Sequence, residues 1–163
     1  MNYHPTDFAA PTGTVHDFDF LHGDWIVSNR RLRERFAGSR DWDEFEAKFH
    51  CEPRLDGVAN IDQMDAPSRG FSGMTLRLFD RASRRWAIYW ISSQQGTLFP
   101  PVQGGFIGDH GVFVGRDTDG GAPVNVQFFW TRLSPDAARW SQAFSRDGIL
   151  WETNWVMNFR RDG

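Results

Sequence analysis

From Asp24 to the end of the chain, apolar and polar residues alternate with a period of two, and Gly, Pro, Asp and Ser interrupt the alternation at short intervals. Side chains switch faces at every residue of a strand, so this pattern predicts consecutive antiparallel strands and leaves no stretch for a long amphipathic helix. The expected strands run from Asp24 to Arg35, Asp43 to Arg54, Val58 to Met64, Ser72 to Phe79, Arg85 to Ser93, Gly104 to Gly108, Val112 to Arg116, Pro123 to Leu133, Ala138 to Ser145 and Leu150 to Arg160. The chain therefore reads as all-β, with about ten strands.

The connections fall into two classes that alternate. Leu55-Asp56-Gly57, Asp80 to Arg84, Asp109-His110-Gly111 and Ser134 to Ala137 carry the Asp, Gly and Pro chemistry of tight hairpins. Phe36 to Trp42, Asp65 to Phe71, Gln94 to Gln103 and Asp117 to Ala122 read as longer loops. In an up-and-down meander alternate connections share an end, which predicts a closed floor and an open mouth. Strands in sequence with no covering helices must protect their edges, and a single antiparallel up-and-down barrel does so completely. A two-sheet sandwich stays open as the alternative, because hairpin chemistry does not prove that the first and last strands pair.

A length of 163 residues suits one domain, read as a leader over residues 1–17 and a barrel over 18–163. Phe18 to Leu21 allow one helical turn, whose apolar side chains are expected to plug the floor. The 15 Phe and 8 Trp against 2 Tyr predict a dense core or an aromatic-lined cavity. With 18 Lys and Arg against 21 Asp and Glu and no basic run, nucleic acid is not an expected partner. The leader lacks a basic head and an apolar run, and no 18 consecutive apolar residues occur, so neither secretion nor a membrane partner is expected. Cys51 is the lone cysteine and alternates with polar neighbours, which predicts a small buried hydrophobe and a cytoplasmic location.

Phe18-Asp19-Phe20-Leu21-His22-Gly23-Asp24-Trp25 resembles the opening of lipocalin-type barrels, where Gly-x-Trp follows a short helical turn. At the other end, Trp151 to Arg160 resembles the last calycin strand, whose Arg or Lys packs over the first-strand Trp. The resemblance therefore implies that Arg160 covers Trp25 by a cation-to-ring contact. From Phe18 to Arg161, and especially in ARWSQAFSRDGILWETNW, the chain resembles a bacterial family of calycin-like domains of unknown function. That resemblance implies the fold and no reaction.

The five histidines, His4, His16, His22, His50 and His110, form no His-x-His or His-x-x-x-His pair, so no metal site is expected. His50 and Glu52 share a strand face, which reads as an exposed polar face. A nitrobindin-like haem site would need an axial histidine near the chain end, and none follows His110. No nucleophile elbow, Cys-His pair or phosphate-cradling loop appears, and no cofactor is expected. Asp62 and Glu152 could supply paired carboxylates if the fold brought them together.

The remaining candidates are polar residues whose parity allows them to face inward. If Trp25 faces a cavity, then Val27, Asn29, Arg31 and Arg33 follow on its face. Asn60, Asp62, Arg77, Gln142, Glu152 and Asn154 are the corresponding candidates elsewhere, with Trp90 and Trp130 among the rings that would hold a ligand's body. An inward Arg31 or Arg77 should meet Asp62, Glu152 or an anionic ligand, because an unpaired buried charge is costly. The leading expectation is a small-molecule binder for a partly apolar compound with a polar or anionic group. An enzyme using a buried carboxylate and a structural domain with a filled barrel are the alternatives. Leu98 and Phe99, in the loop from Gln94 to Gln103, read either as a cap over the mouth or as part of a passive surface loop whose Phe99 rests on the barrel rim. Trp86, Ile88 and Trp90 alternate with Ala87, Tyr89 and Ile91, and Phe128 and Trp130 with Phe129, leaving apolar side chains on both faces, so the outer one needs cover from the N-terminal segment or from a second copy, and a homodimer is expected.

Overall fold

The computed structural model describes residues 10–163, so His4 and the first part of the leader lie outside the described residues. Ten strands follow one another: β1 (Gly23–Leu32), β2 (Trp42–Arg54), β3 (Ala59–Ala66), β4 (Phe71–Asp80), β5 (Arg85–Ser92), β6 (Val102–Ile107), β7 (His110–Asp119), β8 (Ala122–Ser134), β9 (Ala137–Ser145) and β10 (Glu152–Arg161). Each pairs antiparallel with its sequence neighbour, and β1 pairs with β10, opposing Trp25 to Arg161 and Val27 to Phe159. The sheet is a closed barrel, which decides between barrel and sandwich. Alternation explains the strands: in β2 Phe45, Ala47, Phe49 and Cys51 are buried while Glu44, Glu46, Lys48 and His50 between them are exposed.

The two ends differ as expected, although the loops are redistributed. His110 and Gly111 belong to β7, so the tight turn there is Gly108-Asp109. Asp117 to Asp119 are also strand, and β7 and β8 meet through Gly120 and Gly121, whose φ of 58° and 82° suit glycine. The longer mouth connections are residues 33–41, 93–101 and 146–151; the last includes Leu150, which does not begin β10.

The floor is built by the leader. Gly13 N–H donates to the Arg84 carbonyl at 2.8 Å and the Trp86 indole donates to the Thr14 carbonyl at 3.0 Å, tying this segment to the start of β5. A 3-10 turn at Asp19–Leu21 then turns the chain into β1, with Phe18 and Leu21 buried as the plug. The Phe18 ring meets Trp86, Phe106 and Phe113 at centroid distances of 5.2, 5.4 and 5.6 Å. Trp25 donates from its indole to the Leu21 carbonyl at 2.9 Å.

The cation over Trp25 is Arg161, not Arg160. Its guanidinium carbon lies 3.8 Å from the ring centroid, and it donates to the carbonyls of His22 and Phe20 at 2.6 and 2.7 Å. Arg160 faces outward and pairs with Glu46 at 2.9 Å. A β-bulge explains the shift by one residue. Thr153 opposes Ala143 and Trp155 opposes Gln142, so Asn154 is an extra residue that brings two successive side chains inward. Beyond it the inward set becomes Trp155, Met157, Phe159 and Arg161.

On the outer surface, Met74, Leu76 and Leu78 of β4 lie beside Ile91, Tyr89 and Ala87 of β5, all half-buried. No helix among the described residues is long and apolar enough to cross a membrane.

Candidate functional site

The barrel encloses a cavity of about 350 Å³ that opens between the longer loops. Its wall is mainly aromatic. Trp130, Trp140, Trp155 and Phe159 line it from β8 to β10, with Trp90 and Ile88 from β5 and Met64 and Phe49 from β3 and β2. Trp140 and Trp155 meet edge-on at 5.6 Å, as do Trp90 and Trp155 at 5.8 Å, so Trp155 is held between two other indoles.

At the bottom lies a charge pair. Asp62 and Arg77 are 2 % and 3 % exposed, and Arg77 Nη1 approaches Asp62 Oδ2 to 2.6 Å. Arg77 also donates to Asn60 Oδ1 at 2.9 Å and lies 5.0 Å above the Phe18 ring. The ion contact is close but poorly directed: neither Asp62 oxygen is engaged in a well-formed hydrogen bond, and Arg77 Nε has no acceptor. Burial pushes the Asp62 pKa above the usual carboxylate value, while the Arg77 charge and the adjacent Thr75 oppose that shift. Beside this pair, burial pushes the Cys51 thiol up to about 12, so it is a thiol packed as a hydrophobe.

The mouth has a different character. Arg31 lies within 5.3 Å of Phe45, 5.1 Å of Phe71 and 5.1 Å of Trp155, measured to the ring centroids, and makes no ion pair or hydrogen bond among the described residues. Burial lowers its pKa from the ordinary guanidinium value, with Asp43 opposing. Close to Arg31, Arg35 in the β1–β2 loop reaches across to Asp119 of β7 through two hydrogen bonds, one of 3.0 Å from Nε to Oδ2. The pair holds the Asp119 carboxyl below its usual range. The same loop is fixed by Phe36 N–H donating to Glu152 at 2.8 Å and by Arg146 lying 4.1 Å over the Phe36 ring. Burial raises the pKa of Asp117, which lines the mouth below Asp119.

Of the residues singled out by parity, Arg31, Asp62, Arg77, Trp90, Trp130, Gln142 and Asn154 line the cavity. Asn29, Asn60 and Glu152 do not. Asn29 accepts the Trp155 indole proton at 2.9 Å, Asn60 holds Arg77, and Glu152 anchors the β1–β2 loop at the rim. Asp62 meets Arg77, one of the pairings expected for an inward arginine, and it is not joined to Glu152. Gln142 donates to Asn154 Oδ1 at 2.8 Å, which leaves Asn154 Nδ2 without an acceptor although the residue is 2 % exposed. The loop over 93–101 divides: Phe99 and Pro100 line the cavity, whereas Leu98 is 58 % exposed and bridges back to Ile91.

Asp117 and Asp119 fall in the segment expected at the mouth, but neither they nor Arg35 were singled out as lining residues. The available signal was the alternation Gly115, Asp117, Asp119, which continues the inward face of β7 past the boundary that the polar composition suggests. His50 faces outward, bridging Asp24 at 2.7 Å and Glu52 at 2.8 Å. No group of three or more His, Cys, Asp or Glu side chains among the described residues is placed to hold a metal ion.

No family model and no curated protein matches the chain. Solved structures do. The S-type phycobiliprotein lyase CPES from Guillardia theta aligns with a TM-score of 0.55 at 10% identity, covering 90% of each chain. A redesigned β-barrel aligns at 0.50 with 12% identity, covering 93% of this chain and 100% of its own. The fold is a calycin-type barrel. Similarity at this level of identity carries the architecture and nothing about chemistry. Gly23, Trp25 and Arg161 occupy the positions that the resemblance assigns to a Gly-x-Trp opening and its covering arginine.

Proposed function

We propose that the barrel binds a small, partly apolar molecule bearing a polar or anionic group. The observation that carries this reading is an aromatic cavity containing buried polar atoms with no well-formed hydrogen bond among the described residues, namely Asp62 Oδ1, Arg77 Nε and Asn154 Nδ2. Natural cores satisfy nearly all such groups, and each one left over costs about 1–3 kcal/mol. A ligand offering complementary atoms recovers that cost, while the rings accept its apolar body. A cavity of about 350 Å³ weighs against a filled structural barrel. An enzymatic use of the same site would rest on the protonated form of Asp62, favoured by its burial. A buried lone cysteine agrees with a cytoplasmic location.

Titration with N-phenyl-1-naphthylamine, an uncharged dye that brightens in apolar surroundings, tests the reading. Saturable uptake at one site per chain, lost on filling the cavity with Val126→Trp, is the expected result. Uptake that is absent, or unchanged by that substitution, removes it.

Two further expectations belong to this reading. Phe99 serves as a lid, so replacing residues 94–101 by a short Gly-Ser turn leaves the melting temperature nearly unchanged and speeds dye release in stopped flow. Equal release rates would make the loop passive. The chain also forms a homodimer through the outer faces of β4 and β5, where Met74, Leu76, Tyr89 and Ile91 are half-buried. Light scattering at micromolar concentration should then give twice the 18.8 kDa chain mass, and the single chain mass would contradict it.

A further inference from the structure

The cavity has two poles with different electrical character. At the floor, Asp62 and Arg77 cancel one another, so a charged ligand group placed there would have no counter-ion. What the floor lacks is hydrogen-bond partners of both kinds: Asp62 Oδ1 needs a donor and Arg77 Nε needs an acceptor. A neutral group that carries an N–H or O–H next to a carbonyl supplies both. At the mouth the situation is reversed. Arg31 carries a charge with no ion-paired carboxylate among the described residues, Asp43 being the nearest acidic influence and itself paired with Arg33 and Arg69, and its face is already covered by Phe45, Phe71 and Trp155. Its remaining need is an anion, which a guanidinium binds through paired N–H groups.

We propose that the ligand is a two-ended molecule, with a neutral donor–acceptor head of the amide or lactam type on Asp62 and Arg77 and an anionic group on Arg31. Its flat apolar body lies between them against Trp90, Trp130 and Trp155. The head is read by position, because the paired charges at the floor accept hydrogen bonds and repel ions of either sign through lost solvation. The anion stays near the mouth, where Arg31 is half-buried and desolvation of the incoming charge is incomplete. The Arg35–Asp119 bridge satisfies the second mouth arginine internally, so Arg31 is the cation that takes the ligand. This assignment rests on the small-molecule reading above and specifies which molecules satisfy it.

Two matched probe pairs test the poles separately on the intact protein. For the mouth, 1-anilinonaphthalene-8-sulfonate is compared with N-phenyl-1-naphthylamine, the same ring system without the sulfonate. For the floor, quinolin-2-one is compared with N-methylquinolin-2-one, which lacks the N–H donor. Each polar contact is expected to give about tenfold tighter binding in the unmodified protein, in line with hydrogen bonds to charged groups. Arg31→Gln should abolish the sulfonate preference and leave the lactam preference. The double replacement Asp62→Leu with Arg77→Met, which removes both buried charges together, should abolish the lactam preference while still taking up N-phenyl-1-naphthylamine. Equal affinities within either pair in the unmodified protein overturn the two-ended assignment, as does a preference that survives its variant. That comparison needs no variant to fold. If N-phenyl-1-naphthylamine binds and the preferences are absent, the binding reading stands and this one falls; if none of the four probes binds, both fall.

Discussion

Trp25→Ala lowers the stability of the barrel by about 3–5 kcal/mol, the range for removing a large buried ring from a core that cannot collapse around the gap. Trp25 is 1 % exposed and joins three parts of the floor. Its indole holds the Leu21 carbonyl, its face carries Arg161 at 3.8 Å, and Phe159 meets it edge-on at 5.9 Å. Through Leu21 and Arg161 it fixes the turn that enters β1 and the strand that closes the barrel. Urea denaturation followed by far-UV circular dichroism checks this. A midpoint equal to that of the unmodified protein would remove Trp25 from its assigned place.

The second large effect comes from breaking the floor pair on one side. Asp62→Ala leaves Arg77 as a buried cation without its counter-charge and costs about 3–5 kcal/mol, whereas replacing both by Leu and Met is near neutral. The pair also sets a pH dependence whose sign is fixed. Burial raises the Asp62 pKa in the folded state, so the folded protein binds this proton more readily than the unfolded chain does. The contribution of Asp62 to stability is therefore most favourable below the unfolded value, about 3.9, and declines as pH rises through the folded one. Asp119 and Asp43 act in the opposite sense, because Arg35 and Arg69 lower their pKa values and their contribution is lost on acidification. The difference in melting temperature between the unmodified protein and the Asp62→Leu/Arg77→Met double variant, followed from pH 4 upward, isolates Asp62. It should move in favour of the variant as pH rises. A constant difference would mean that Asp62 titrates normally.

Most of the architecture was legible because one physical rule governs it. A closed sheet with a wet outside and a dry inside forces a period of two, and that period runs cleanly through β2, whereas β4 and β5 carry apolar side chains on their outer faces as well. The rule fails where the pairing slips. In β10 the parity read from Glu152 and Asn154 continues to Arg160, but the extra residue at Asn154 transfers the inward face to Trp155 and the floor contact to Arg161. Nothing local in Thr153-Asn154-Trp155 announces a bulge, which is a property of two strands. A similar slip at Leu133 of β8 was equally silent.

The site was legible as a set of inward polar residues and not as an arrangement. Parity brought Asn29, Asn60, Asp62 and Arg77 inside together, and all four are buried. It could not say that Asn29 and Asn60 are used up in holding Trp155 and Arg77 while Asp62 keeps an unsatisfied oxygen. Hydrogen-bond bookkeeping depends on distances across the barrel, which the sequence does not carry. The mouth was obscured for a related reason. Asp117 and Asp119 look like loop residues by composition, and only the Arg35 bridge from a distant part of the chain gives their strand an inward purpose.

A small molecule held in the cavity, as proposed above, is read out by native mass spectrometry of freshly purified protein. The expected spectrum contains a species heavier than the 18.8 kDa chain by a small organic mass, released on collisional activation and recovered in the denatured extract. Only the bare chain mass, in a preparation that also fails to take up N-phenyl-1-naphthylamine, would contradict it.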